Sequence, residues 1–215
     1  MNKRLLHLFN EAGFHQPEME RLGIEDKSEK FAKLIVKECA DVVAHAVDHR
    51  EPASTYVTRI NQHFGAWTLK IMGCTSVFEF GSGLGFFLIA CQRIGLYRHV
   101  GFDINPYERD FAISKGVEPN KYLIGDFSKT KIGKYDAIYS TEVFEHMTDE
   151  ELNKVLPKLY KACKKYFYFT STPFYSAGPA FDKEWGHINI KQKEEWIALF
   201  YHHGFEYLQD AKDIS

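Results

Sequence analysis

Three groups of residues in this 215-residue chain have the types and spacing to do chemistry. Gly81, Gly83 and Gly85 alternate in "SVFEFGSGLGFFLIACQRIG"; Asp103 and Asp126 follow; Glu142, Glu145 and His146 cluster in "YDAIYSTEVFEHM". A strand feeding a glycine loop and then a helix puts backbone N–H groups and a positive helix end beside a ligand. Such loops serve several nucleotides, and two of them are excluded. The dinucleotide pattern GxGxxG begun at Gly81 needs glycine at 86, where Phe86 stands, and a Walker loop needs a lysine, which is missing between Lys70 and Lys115. Asp103 in "HVGFDINP" ends the next strand, 18 residues after Gly85, where a carboxylate accepts two hydrogen bonds from a ribose diol. Asp126 in "YLIGDFSK" ends the strand after that, where it can accept from an adenine amino group while Phe127 covers the ring. A solvated strand-end acid explains either aspartate alone; the two together after a glycine loop describe an adenosine pocket.

Glu142, Glu145 and His146 stand at i, i+3 and i+4, so a helical turn would bring them onto one face. Acids enriched at a helix N-terminus explain the same spacing, and the sharper alternative is a catalytic or metal-binding edge. The aromatic residues Phe174, Tyr175, Phe181 and Trp185 suit either a planar acceptor or the core of a lid. His202 and His203 fall at a helix end and suit its dipole.

These residues need elements to position them. Val77–Phe80, His99–Asp103, Tyr122–Gly125, Ala137–Ser140 and Tyr166–Thr170 read as strands, with helices at 85–94, 106–115 and 149–164 and a weaker one near 128–132. The alternation predicts an α/β fold with a mostly parallel sheet and helices on both faces. Lys191–His203 reads as a helix ended by Gly204, and Phe205–Gln209 as a last strand. Ahead of the sheet, 28–46 and Tyr56–Met72 read as helices, so residues 1–72 are expected to form a helical extension or lid and 73–215 the binding domain.

Composition agrees with a globular chain: 45% hydrophobic and 26% charged residues, and no apolar run near the roughly 20 residues that span a bilayer. The N-terminus lacks the apolar segment of a secretory signal, and Cys39, Cys74, Cys91 and Cys163 form no CxxC pair. A cytoplasmic protein with reduced thiols is expected. A net charge of −2 gives no long-range attraction to nucleic acid or anionic lipid, although "KLYKACKKYFYF" is locally basic. Its lysines also suit a helix end.

With these motifs in hand, the chain resembles the class I S-adenosylmethionine-dependent methyltransferases. "VFEFGSGLG" is similar to their first motif, with Glu79 in the strand and Gly81, Gly83 and Gly85 after it. "GFDINP", with Asp103 and Ile104, is similar to the ribose-binding motif, and "GDF", with Asp126 and Phe127, to the adenine-binding one. The resemblance implies a Rossmann-like sheet with S-adenosylmethionine as cofactor, its methionine part against the glycine loop. The family sheet closes with an antiparallel hairpin, and only one strand is expected after Gly204; either the last strand is absent or replaced, or the chain is a fragment.

The ExxEH string is similar to that of ubiquinone-type and other small-molecule methyltransferases, which implies a small-molecule or sugar acceptor methylated at O or N. Glu145, His146 and His187 are then the catalytic candidates. It is also similar to small-RNA terminal 2′-O-methyltransferases, whose resemblance implies Mg²⁺ or Mn²⁺ on Glu142, Glu145, His146 and His187. Three roles stay open for His187 in "EWGHINI": base, metal ligand or loop anchor. The net charge counts against nucleic acid, and a non-catalytic binding protein with this fold is the third alternative. "EKFAKLIVKECADVV" resembles short tailed-bacteriophage proteins, which would place the action in a host cytoplasm.

Overall fold

The computed structural model describes residues 54–171 and 186–208, together with helical positions 35, 37 and 39. The chain divides into two compact units, Met1–Asn61 and Gln62–Ser215. The expected helix 28–46 touches the described residues only at those three positions, and Phe174, Tyr175, Phe181 and Trp185 lie outside them.

Helix α1 (Ser54–Ile71) precedes β1 (Ser76–Phe80), α2 (Phe86–Arg93), β2 (Arg98–Asp103), α3 (Pro106–Ser114) and β3 (Tyr122–Ile124). Then come β4 (Tyr135–Thr141), a 3₁₀ turn at Phe144–His146, α4 (Asp149–Ala162), β5 (Cys163–Thr170) and α5 (Lys193–His202). The strands form one parallel sheet in the order β3-β2-β1-β4-β5. The five expected strands and the parallel α/β architecture are borne out. The helix expected near 128–132 is a turn, and Phe205–Leu208 is irregular. No helix among the described residues is long and apolar enough to cross a membrane.

Helix starts follow capping chemistry. The Asn105 side chain accepts from the Tyr107 N–H ahead of α3, with Pro106 at the first helical position. Thr148 and Glu151 close a capping box at α4, and Gln192 and Glu195 do the same at α5.

Strand alternation sorts the core into two layers. Phe78, Phe80 and Ile138 face Leu152, Leu156 and Leu159 of α4 and Trp196 of α5. Val77, Ala137 and Tyr139 face Ala66 and Leu69 of α1 and Phe87, Ala90 and Cys91 of α2, with the Phe87 and Tyr139 rings stacked 3.8 Å apart. Covering both faces explains why the strands read as nearly continuous apolar runs.

One buried acid ties the amino ends of the two central strands. Asp136 accepts from the Thr75 N–H (2.8 Å) and hydroxyl (2.6 Å), with Lys164 at 3.6 Å, and its own N–H donates to the Ser76 hydroxyl at 2.9 Å. The Thr75 donors hold its carboxyl below the usual carboxylate range. With a folded pKa below the unfolded one, this stabilisation is present at neutral pH and is lost as pH falls below the unfolded value of about 3.9. Asp136→Asn should cost about 2 kcal/mol at pH 7, the range for hydrogen bonds to a charged group. Urea melts across pH 7 to 3 check it: the gap between variant and parent narrows as the medium becomes acid.

Candidate functional site

In a doubly wound sheet the ligand crevice opens at the carboxyl ends of the strands where the order reverses. Here that place is between β1 and β4, since β2 and β3 follow on one side and β5 on the other. The glycine loop leaves β1 at this point. Gly81, Gly83 and Gly85 all have positive φ (82°, 46° and 76°). At Gly81 the reason is also steric, because a Cβ there would lie 2.2 Å from Val143 Cγ2 in the segment after β4.

Backbone and side-chain bonds hold the loop toward β2 and β3. The Gly81 and Ser82 N–H groups both donate to the Phe102 carbonyl at 2.9 Å. The Gly83 N–H donates to Asp103 Oδ2 at 2.8 Å, and the Gly83 carbonyl accepts from the Tyr122 hydroxyl at 2.6 Å. Asp103 Oδ1 accepts from the Asn105 N–H at 3.0 Å. Asp103 is therefore a loop anchor as well as a ligand candidate, and a carboxylate with about four lone-pair sites has capacity for both. Tyr122 is a contributor that sequence reasoning missed; only its place at a strand start hints at it. Tyr122→Phe should cost about 1 kcal/mol, the net worth of one buried hydrogen bond, and thermal melting reads this directly.

Glu79 is 2% exposed on β1, and its Oε2 has no hydrogen-bond partner. Burial pushes its carboxyl well above the usual range, opposed by the Ser82 hydroxyl. Ile104, next to Asp103, is 77% exposed and leaves an apolar side chain at the crevice rim. Asp126 sits in a local turn: Oδ1 accepts from the Ser128 N–H (2.9 Å) and hydroxyl (2.6 Å), and Lys129 lies 3.2 Å from Oδ2. The Ser128 donors hold its carboxyl below the ordinary value.

Phe127 corrects an expectation. Its ring is packed in the core, 4.7 Å from Phe80 and 4.9 Å from Phe102, with the Lys158 ammonium 4.5 Å from its centroid. Aromatic burial outcompetes exposure of the ring as a ligand cover.

The segment after β4 also departs from expectation. Glu142 is not part of a helical turn with Glu145 and His146; it has φ 54°, and only Phe144–His146 is helical, as a 3₁₀ turn. That left-handed backbone costs roughly 1–2 kcal/mol. Thr170, at the end of β5, holds it from two directions: its carbonyl accepts from the Glu142 N–H (3.1 Å), and its hydroxyl donates to Glu142 Oε1 (2.9 Å). Gln62 donates to the Thr141 hydroxyl at 3.0 Å just before this bend.

Glu145 is fully buried, and its Oε2 accepts from the Ser171 hydroxyl at 3.2 Å. Its carbonyl accepts from the Ile188 and Asn189 N–H groups, each at 2.9 Å, and the Asn189 amide donates to the Met147 carbonyl at 2.9 Å. These bonds clamp "GHIN" (186–189) onto the 3₁₀ turn. His187 thereby meets His146, rings edge to face with centroids 4.9 Å apart. His146 Nδ1 lies 3.1 Å from the Gly186 carbonyl. Glu145, His146 and His187 offer ligand atoms all within 4.8 Å of one another, and Glu142 stands outside that group. Ser171 and Asn189 escaped the sequence reading because their partners are far along the chain.

Residues 78–169 match the family model described as a methyltransferase domain. Over this span the chain is similar to that family. It contains the glycine loop, both strand-end acids and the ExxEH string, so the family resemblance carried by those motifs is borne out. The chain also shares its fold with solved structures. A SAM-dependent methyltransferase from Archaeoglobus fulgidus aligns with TM-score 0.57 and 20% identity over 76% of this chain and 74% of that one. Magnesium protoporphyrin IX methyltransferase from Synechocystis, solved with bound SAH, aligns with TM-score 0.55 and 17% identity over 71% and 75%. For the mitomycin 7-O-methyltransferase MmcR the values are 0.56 and 16% over 72% of this chain, which spans only 50% of that protein's length. No curated protein sequence matches the chain.

Proposed function

We propose that the chain transfers a methyl group from S-adenosylmethionine to an oxygen or nitrogen of a small-molecule acceptor, a sugar included. The observation that carries this reading is the Gly83–Asp103 bond, which sets a glycine loop and a strand-end carboxylate side by side, in a loop whose Gly81 meets Val143 two residues before Glu145 of the Glu145, His146 and His187 cluster. The residues present fit the donor: the glycine bend leaves no room for a side chain at Gly81, and Glu79 keeps an oxygen without a partner. When bound, the donor supplies a sulfonium methyl that is already activated.

The chain's own groups have distinct tasks. Asp103 accepts from the ribose hydroxyls while it holds Gly83, Ile104 lends its exposed side chain to the adenine, and Asp126 accepts from the adenine amino group. Holding donor and acceptor in line is worth effective molarities of about 10⁵–10⁸ M. His146 is the proton acceptor. If Nδ1–H donates to the Gly186 carbonyl, as the 3.1 Å separation permits, the ring's lone pair lies on Nε2. General-base action of this kind contributes about 10²–10⁴ in rate.

The three-residue cluster favours a second reading, a divalent-metal-assisted methyltransferase acting on RNA. Two imidazoles with one carboxylate suit Mn²⁺ better than Mg²⁺. The metal would polarise or orient the acceptor oxygen, and Glu145, His146 and His187 would hold it, without Glu142.

Isothermal titration with S-adenosylhomocysteine tests the shared premise: one saturable site is expected, and absence of binding overturns both readings. Tritium transfer from labelled donor to a panel of phenols, sugars and short RNAs then separates them. On the first reading EDTA has no effect, and His146→Ala lowers transfer about 10²–10⁴-fold with homocysteine-product affinity unchanged. Loss in EDTA restored by Mn²⁺, with RNA as acceptor, favours the second.

A further inference from the structure

Asp103 has a second carboxyl group beside it at the glycine loop. Glu108, in the first turn of α3, is half-buried, and a Cβ built on Gly83 would lie 3.2 Å from its Oε2. Loop, strands and helix therefore meet at one glycine. The Gly83 N–H donates to Asp103 at the end of β2 (2.8 Å), its carbonyl accepts from the Tyr122 hydroxyl of β3 (2.6 Å), and Glu108 of α3 lies against its open side.

An acid in the first turn of a helix suits the dipole wherever its carboxylate faces water. That does not account for Glu108, whose carboxyl is turned back onto the loop. Burial, and after it the Asp103 carboxylate, push its pKa up. Asn105 Nδ2 donates to Oε1 at 3.3 Å, and Oε2 has no hydrogen-bond partner among the described residues. The neighbouring cation is directed elsewhere: Arg109 donates from Nε to the Tyr122 carbonyl (3.2 Å) and from a terminal nitrogen to the Pro119 carbonyl (3.4 Å). Two carboxyl groups are thus held beside one glycine, an arrangement that a ligand's hydroxyl donors would relieve.

We propose that Glu108 is a second ribose-binding carboxylate, its Oε2 accepting a hydrogen bond from one hydroxyl of the diol beside Asp103. The inference rests on the reading of the crevice as an S-adenosylmethionine site. Asp103 already engages the Gly83 N–H through Oδ2 and the Asn105 N–H through Oδ1, whereas Glu108 Oε2 is uncommitted. A diol has two O–H donors, so each carboxylate can take one. Specificity follows from the same pair. A phosphate on either hydroxyl would bring negative charge against both acids, so the site selects adenosyl ligands with a free diol.

Calorimetric titration of the whole chain with S-adenosylhomocysteine and with its 2′-deoxy and 3′-deoxy analogues tests this as a double-mutant cycle between protein and ligand. Glu108→Ala should weaken S-adenosylhomocysteine about tenfold or more, the range for a hydrogen bond to a charged group. In the parent, the analogue that lacks the hydroxyl held by Glu108 should bind about tenfold or more weaker than the complete ligand, and in Glu108→Ala that penalty should shrink to about threefold or less. Glu108→Gln, close in shape and still able to accept from Asn105, repeats the cycle with a smaller change, and melting curves of both variants control for folding. A role confined to the helix or the loop would weaken all three ligands by one factor and leave both deoxy penalties at their parental size. That result overturns the proposal, as does full parental affinity in Glu108→Ala. Failure of the parent itself to bind S-adenosylhomocysteine overturns the reading of the crevice and this inference together.

Discussion

Asp103→Ala should lower affinity for S-adenosylhomocysteine by about 100-fold or more while the domain stays folded. On the proposed reading Asp103 acts on the ligand twice: directly, as an acceptor for the ribose hydroxyls, and through Gly83, whose N–H it holds at 2.8 Å. A hydrogen bond to a charged group is worth roughly 1.5–3 kcal/mol, and losing about 3 kcal/mol corresponds to about two decades in affinity. The fold should tolerate the change, since Asp103 is half-buried at the sheet rim and the Gly81 and Ser82 N–H groups keep their bond to the Phe102 carbonyl. Asp103→Asn separates the two actions. Its oxygen can still accept from Gly83, but its NH₂ then faces the Asn105 N–H, donor against donor, so an intermediate loss is expected. Calorimetric titration of both variants, with melting curves as the control for folding, decides the matter. Affinity within about threefold of the parent in Asp103→Ala would sink the assignment.

The glycine-loop half of the candidate site was legible in the sequence because it is local. Glycines at 81, 83 and 85 are read from a strand, a tight bend and a helix that follow one another, and Asp103 stands where the next strand must end. The half built on the ExxEH string was legible only as a list of residue types. Reading Glu142, Glu145 and His146 as i, i+3 and i+4 assumes a helix, but the bend at Glu142 is set by Thr170, 28 residues away. His187 reaches His146 because the Glu145 carbonyl captures the Ile188 and Asn189 N–H groups, a pairing without periodic signal. Phe127 misled for the converse reason. Its place after Asp126 suggests a ligand cover, while its burial depends on Phe80 and Phe102, aromatic residues from two other strands.

Phe144→Ala should cost about 3–5 kcal/mol, the range for removing a large buried aromatic ring. Phe144 is fully buried and is the hub where strand and helix aromatics meet: Phe80 at 5.7 Å, Phe169 at 5.4 Å, Phe200 at 6.0 Å, Phe167 at 6.1 Å and Trp196 at 6.4 Å. For a domain of this size each 1 kcal/mol shifts the melting temperature by about 2–4 °C, so a fall of roughly 6–20 °C is expected. Phe144→Leu fills most of the space and should cost appreciably less. The position matters beyond stability, because Phe144 begins the 3₁₀ turn that carries Glu145 and His146. Well below its melting temperature the alanine variant should therefore bind S-adenosylhomocysteine nearly as the parent does, since the Gly83–Asp103 bond lies on other elements, yet transfer methyl groups more slowly. If affinity and transfer fall together, the aromatic hub supports the glycine loop through Phe80 and not only the acceptor turn. If neither falls, the orientation of His146 is set by the clamp from Gly186 and Asn189 alone, and packing beneath the turn contributes only to stability.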